Sequence, residues 1–440
     1  LTAASGDASH AEGALTVASG EVSHAQGYQT VASGNYSYAE GYLTAASGDA
    51  SHAEGALTVA SGEVSHAQGY QTVASGNYSY AEGYLTAASG DASHAEGALT
   101  VAGGNFSHAE GNETLSSGEN SHAQGKNTTA SGENSHSQGF DTSATTIYSH
   151  AQGYATLSSG DTSHAQGKNT ISNGIASHAQ GSNTTASGNY SHSQGNNTIA
   201  SGENSHAEGK DTVASGNTSH AEGVLTVAGG NFSHAEGSSN KALGQNSHAE
   251  GNGTIANGVY SHSEGHNTNA TGTTSHAEGF ETIAGGENSH AQGDTTNASG
   301  TNSHAEGNQT NASGTNTHAE GDRSVASVDS AHAEGKLTTA SGAASHAEGR
   351  NTRATGADSH AQGNATISSG VFSHAGGNSV VASGQTSFVH FIATGATYGA
   401  YGNQSAILGG VNNNINPGAH SSTILGGMDN VVDTDIQRSI

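Results

Sequence analysis

The sequence predicts an all-β fold: a parallel β-solenoid, or β-roll, of 14-residue coils with two short strands per coil. Three observations lead there. The phrase Ser9-His10-Ala11-Glu12-Gly13 returns every fourteen residues, with copies beginning at Ser23, Ser37 and Ser51 and a last recognisable one at Ser373. A fixed short period sustained over that length is the signature of a repeat architecture. The intervening phrases, such as Thr16-Val17-Ala18-Ser19-Gly20, share with it the frame Ser/Thr-x-Ala-x-Gly-x-x, so the underlying period is seven. Within each seven the small residues lie two apart, and in a strand residues two apart point to one side.

Each seven therefore reads as a short strand with a face of tiny residues, followed by a two-residue corner. Ala4, Ala11, Ala18 and Ala25 are expected inside the roll, with His10 and His24 pointing out. Glycine is expected before the corner because corners often need positive φ. A period of seven also fits a coiled coil, but no apolar a/d pair is present and Gly recurs twice per coil, which excludes helix.

Composition alone points elsewhere. Leu, Ile, Val and Phe make up roughly an eighth of the 440 residues, and the formal charge is −28, a combination that ordinarily signals disorder. The repeat overrides it, because stacked coils satisfy one another's backbone. A roll lined by Ala, Ser, Thr and Gly buries little apolar area, so association with further copies is the expected remedy. There is no cysteine, hence no disulfide and no zinc–thiolate site. No apolar run is long enough to insert in a membrane, and strong acidity argues against nucleic acid or an anionic membrane as partner.

Along the chain, 27 coils of 14 residues run from Leu1 to Asn378, and residues 1–42 recur unchanged as 43–84. Tyrosines gather at corners there (Tyr28, Tyr36, Tyr42) and enter the histidine slot as Tyr38 and Tyr80. Thr146 and Val328 stand where the first corner glycine belongs, so local distortion is expected. Lys241 and Arg353 fill the slot of Val17 and Val31, which places that slot against water. Residues 379–440 read as an atypical, more hydrophobic terminal or transition segment. There Ser405-Ala406-Ile407-Leu408-Gly409-Gly410 and Ser422-Thr423-Ile424-Leu425-Gly426-Gly427 lie seventeen apart and put Ile where Ala stood. Arg438-Ser439-Ile440 reads as the start of a further phrase, and the chain is expected to be a piece of something longer.

The frame, for example Thr100-Val101-Ala102-Gly103-Gly104, resembles the head repeat of YadA-like trimeric autotransporter adhesins over residues 1–378. The resemblance implies a left-handed roll, three parallel chains packed about one axis, and an adhesive role at a cell surface. The Ser-His-Ala-Glu-Gly wording, and the Ile-Leu-Gly-Gly phrases with Asn412-Asn413-Asn414-Ile415, are also similar to phage and other viral tail-fibre proteins. The expected function is a non-enzymatic structural fibre, an extracellular spacer and attachment element of a cell surface or surface filament. The alternative is the shaft of a virion tail fibre. The expected partners are further copies of the chain, as a homotrimer or longer filament, and a surface receptor or matrix ligand.

Three readings compete for the outward histidines. His10, His24, His52, His66, His94, His108, His122, His136, His150 and His164 form a column, with Glu12, Gln26 and Glu54 in a parallel one. Such columns suit a solvated face, a subunit-interface ladder or capture of zinc, nickel or copper. The interface reading is favoured because the slot admits only His or Tyr in all 27 coils, whereas the Val17 slot also takes Asn, Lys and Arg. His122, His136, His150 and His164 are the metal candidates, since neutral imidazoles suit those ions, although a regular ladder lacks a discrete four-ligand cage. No cofactor is expected. Catalysis is disfavoured because Ser9 and His10 face opposite ways and cannot form a nucleophile–base pair.

Overall fold

The structure, a computed structural model, describes residues 2–394 and 398–433, and the reading of Arg438-Ser439-Ile440 lies outside them. Two units, Leu1–Thr218 and Ser219–Ile440, are each built as a parallel β-solenoid, and no helix occurs among the described residues. None of these elements is therefore a helix long and apolar enough to cross a membrane.

In the first unit, five-residue strands such as His10–Ala14 and His24–Tyr28 alternate with two-residue strands such as Val17–Ala18 and Val31–Ala32. Both kinds pair with the next coil fourteen residues on, His10 with His24 and Val17 with Val31. Ala18, Ala25, Thr16 and Thr30 are fully buried, as alternation requires. Ala4 and Ala11 differ: with a coil on one side only, Ala4 is exposed and Ala11 half-buried.

The two halves of a coil are less alike than their shared frame suggests. After the short strand, Ser23 N–H donates to Gly20 O (3.3 Å) and its hydroxyl donates to the same oxygen (2.7 Å), closing a tight turn that ends pairing at Ala18. On the histidine side the ladder continues through Gly13, which pairs with Gly27, and ends only at Ala14.

The corner glycines have two separate reasons. Gly13 has a φ of 116°, in line with the sequence expectation. Gly20 does not have positive φ; there a Cβ would lie 1.9 Å from the carbonyl oxygen of Gly34 in the next coil, so stacking itself demands glycine. The left-handed corner positions fall on the seventh residue of each frame, including Leu15 (φ 62°) and Val22 (φ 55°). An L-residue there costs about 1 kcal/mol. The stack holds it: Val22 N–H donates to Asp7 O (2.8 Å) and Gln29 N–H to Ala14 O (2.9 Å).

Thr146 does not distort the strand register as expected. Ser143 pairs with both Thr129 and Leu157, and the Thr146 hydroxyl donates to Gly160 O at 2.7 Å, making a bond across the gap that glycine normally leaves. Register is likewise kept around Val328, where Val325 pairs with Thr339.

In the second unit the same pattern runs from His220–Val224 to His374–Asn378, with His220 opposite His234 and Val227 opposite Lys241, which is exposed. Arg353 is exposed too. Past Asn378 the coils lengthen: Phe388 pairs with Ala406, and Ala406 with Thr423. Val380, Val389, Phe391, Ile407 and Ile415 now fill an interior in which alanine is the apolar residue earlier, beside Ser and Thr. Burying one such side chain contributes about 1.5–3 kcal/mol, against ~0.8 for an alanine methyl.

Candidate functional site

Alternation along the long strand sets the outer surface. Ala25 turns inward, while His24 and Gln26 stand outward in register with their counterparts above and below. The inter-strand spacing then brings the rings into contact. Centroids are 5.0 Å apart for His10–His24, 4.7 Å for His52–His66 and His94–His108, and 4.8 Å for His108–His122. They are 4.9 Å for His122–His136, 4.7 Å for His136–His150 and 4.5 Å for His150–His164. Tyr38 and Tyr80 continue the column, stacked on His24 and His66, and their hydroxyls donate to Glu40 and Glu82. Those bonds, with burial, raise both phenols to about 12.

The parallel column is chemically two-valued. In many coils where the slot holds Glu, it faces the histidine of its own coil: His10 Nε2 to Glu12 Oε2 is 3.7 Å, and His52 to Glu54 is 3.7 Å. Gln26 lies in register between Glu12 and Glu40. In the longest glutamine run the amides bond to one another instead. Gln124 donates to Glu110 (2.9 Å), Gln138 to Gln124 (2.8 Å), Gln152 to Gln138 (3.0 Å) and Gln166 to Gln152 (3.1 Å).

The rings are half-buried by their neighbours in the stack, and the Nε2 atoms of His122, His150 and His164 are covered yet hydrogen-bond to nothing. Burial is the main cause that holds these imidazoles below their ordinary pKa, with repulsion from neighbouring histidines adding to it. His150, between His136 and His164, is pushed down to about 4. His66, His108 and His136 are lowered for the same leading reason.

The metal candidates taken from spacing, His122, His136, His150 and His164, stand beside this amide run, with Glu110 as the nearby carboxylate. Among the described residues ligand atoms converge elsewhere, in two sets: His332, Glu334 and His346, and His346, Glu348 and His360. Sequence reasoning missed them because every coil offers the same spacing. The serine hydroxyls are committed to turns, Ser9 to Gly6 O (2.7 Å) and Ser23 to Gly20 O, on the opposite side of the strand from the imidazoles. A second outward feature, at the corners, stacks Tyr28 on Tyr42 and Tyr70 on Tyr84, each pair at 5.4 Å.

Stacked coils of one repeating plan, with outward ladders within each unit, fit an adhesin-like structural fibre. The match to known families agrees. The family described as YadA head domain repeat matches residues 116–135, 193–219, 207–233, 242–261 and 305–327, so the chain carries YadA-like head repeats. No curated protein matches it.

Proposed function

We propose that this chain is a rigid extracellular spacer and attachment element of a cell surface or surface filament, acting as a parallel homotrimer with its histidine columns turned toward the threefold axis. The observation that carries the proposal is the set of YadA head repeat matches, since such heads are trimeric surface adhesins. Two physical features support it. Before residue 379 the interior of the coils is almost entirely Ala, Ser and Thr, which leaves a single roll with little apolar burial to offset chain ordering. The histidine column also carries covered, unbonded Nε2 atoms on an outward face, which a neighbouring chain could satisfy.

In a parallel trimer a residue near the axis meets its own copies, so a cysteine there can bridge chains if Cα atoms come within about 7 Å. The chain has no cysteine of its own, which makes single replacements clean probes. Gln152→Cys is expected to give oxidised inter-chain dimers within a sedimenting trimer, while Tyr148→Cys, at an exposed corner, gives none. Sedimentation as a monomer rejects the assembly. Cross-linking at Tyr148→Cys alone rejects the face but keeps the trimer.

A further inference from the structure

We infer that His346 anchors a binding site for one borderline-soft divalent cation of the zinc class, completed either by His332 and Glu334 or by Glu348 and His360. Among the described residues these are the places where two imidazoles and a carboxylate bring ligand atoms within 4.8 Å of one another. The rings are nearly parallel, His332 and His346 4.6 Å apart at 1° and His346 and His360 4.8 Å apart at 4°, as are others in the column such as His248 and His262 at 4°. Aligned rings on adjacent strands send their nitrogens the same way, which a shared ion needs.

The donor set fits the ion. The Nε2 atoms of His332, His346 and His360 are covered and accept or donate no hydrogen bond. Glu348 accepts Gln362 Nε2 on Oε1 (3.2 Å), leaving Oε2 toward His360 Nε2 at 3.8 Å. Lys336, two residues beyond Glu334, is engaged with Asp322 at 2.9 Å. Each triad offers two imidazoles and one carboxylate, a donor set that suits zinc. Tetrahedral zinc at ~2.0–2.1 Å from each ligand sets ligand atoms roughly 3.4 Å apart. Small side-chain rotations on a fixed backbone close that gap. His346 belongs to both triads, and its Nε2 lone pair serves one ion, so the expected stoichiometry is one per chain.

The site uses atoms of one chain, and its histidines belong to the column that the proposed trimer turns toward its axis, so at these coils zinc takes the place of an inter-chain partner. The test is equilibrium dialysis of the full chain with zinc ion alone, before and after two replacements that the repeat already tolerates. The histidine slot holds Tyr at Tyr38 and Tyr80, and the glutamate slot holds Gln at Gln124 and Gln362. His346→Tyr is expected to abolish saturable binding, and Glu334→Gln with Glu348→Gln to weaken it at least tenfold. His276→Tyr, in the same column outside the triads, is expected to leave it unchanged. Absence of saturable zinc binding, binding unaffected by His346→Tyr, or equal loss in His276→Tyr, which would mean diffuse uptake along the whole column, each overturns the site.

Discussion

The long strands beginning at His122, His136, His150, His164, His178 and His192 and those beginning at His206, His220, His234, His248, His262 and His276 share one backbone plan and differ at one outward slot. The first run carries Gln124, Gln138, Gln152, Gln166, Gln180 and Gln194; the second carries Glu208, Glu222, Glu236, Glu250, Glu264 and Glu278. An amide both donates and accepts, so the glutamines satisfy one another coil to coil. A carboxylate only accepts. The glutamates therefore turn to histidine, with His248 Nε2 3.6 Å from Glu250 and His262 Nε2 3.7 Å from Glu264. Around half of each glutamate side chain remains in water, so such a pair contributes at most about 1 kcal/mol.

The consequence is electrostatic. Burial lowers every imidazole of the glutamine run and, in the glutamate run, those of His262 and His276; Glu264, Glu250 and Glu278 push His262 back toward its ordinary value, whereas no carboxylate opposes the shift at His150, His164 or His178. One atom exchanged per coil, amide nitrogen for carboxylate oxygen, sets His150, with no carboxylate opposing its shift, apart from His262, where three carboxylates oppose it.

The largest expected effect should not distinguish the two runs at all. Gly160→Ala sets a Cβ 2.0 Å from Gly174 O, and Gly244→Ala sets one 1.9 Å from Gly258 O. Each should cost about 3 kcal/mol, the upper end for forced overpacking against backbone. Local hydrogen exchange should rise equally around both; unequal losses would mean that the backbones differ as well.

Acid should separate them. The folded pKa of the histidines in the glutamine run lies below the unfolded ~6.5. Their contribution is thus complete above ~6.5 and declines as pH falls from there toward about 4, the value for His150. After allowance for its half-exposed ring the loss at His150 is on the order of 1 kcal/mol. Thermal melts of the full chain should fall between pH 7 and pH 4, and replacing the glutamines of that run by glutamate should soften the fall. A flat profile for both proteins would remove the electrostatic distinction.

A single exchange sharpens the same point. Gln152→Glu removes the donor to Gln138 and places a carboxylate beside His150. The His150 titration followed by NMR should move up from about 4 by roughly one unit. No movement would show that His150 is governed by burial and its histidine neighbours alone.

The smallest effect is again shared. Ala176 (φ 50°) and Thr274 (φ 56°) occupy the left-handed corner that Asn120 and Asn134 fill elsewhere. Ala176→Asn and Thr274→Asn should each stabilise by about 0.5 kcal/mol, read by denaturant melts, because Asn tolerates that conformation better.

How much of this was legible can be followed residue by residue. The inward set, Thr16, Ala18, Ser23 and Ala25, and the outward set, His24 and Gln26, follow from alternation within one strand, so the sequence alone determined them. The match of Ala406 with Thr423 likewise follows from two phrases seventeen apart. Each is a property of a short segment repeated in line, and repetition carries it through the stack.

Only the tertiary structure decided what depends on one coil lying against the next. It assigned Gly20 to the approach of Gly34 O rather than to φ, and placed the left-handed corners on Leu15 and Val22. It made the histidine half of each coil the longer strand, and let Thr146 bond across a gap where distortion was expected. It also singled out His332, Glu334 and His346 from a column in which every coil has the same spacing. The physical reason is common to all of these. Side-chain alternation is set by covalent geometry along the strand, whereas carbonyl approach, ring tilt and ligand convergence are set by distances between strands fourteen residues apart, which no local pattern encodes.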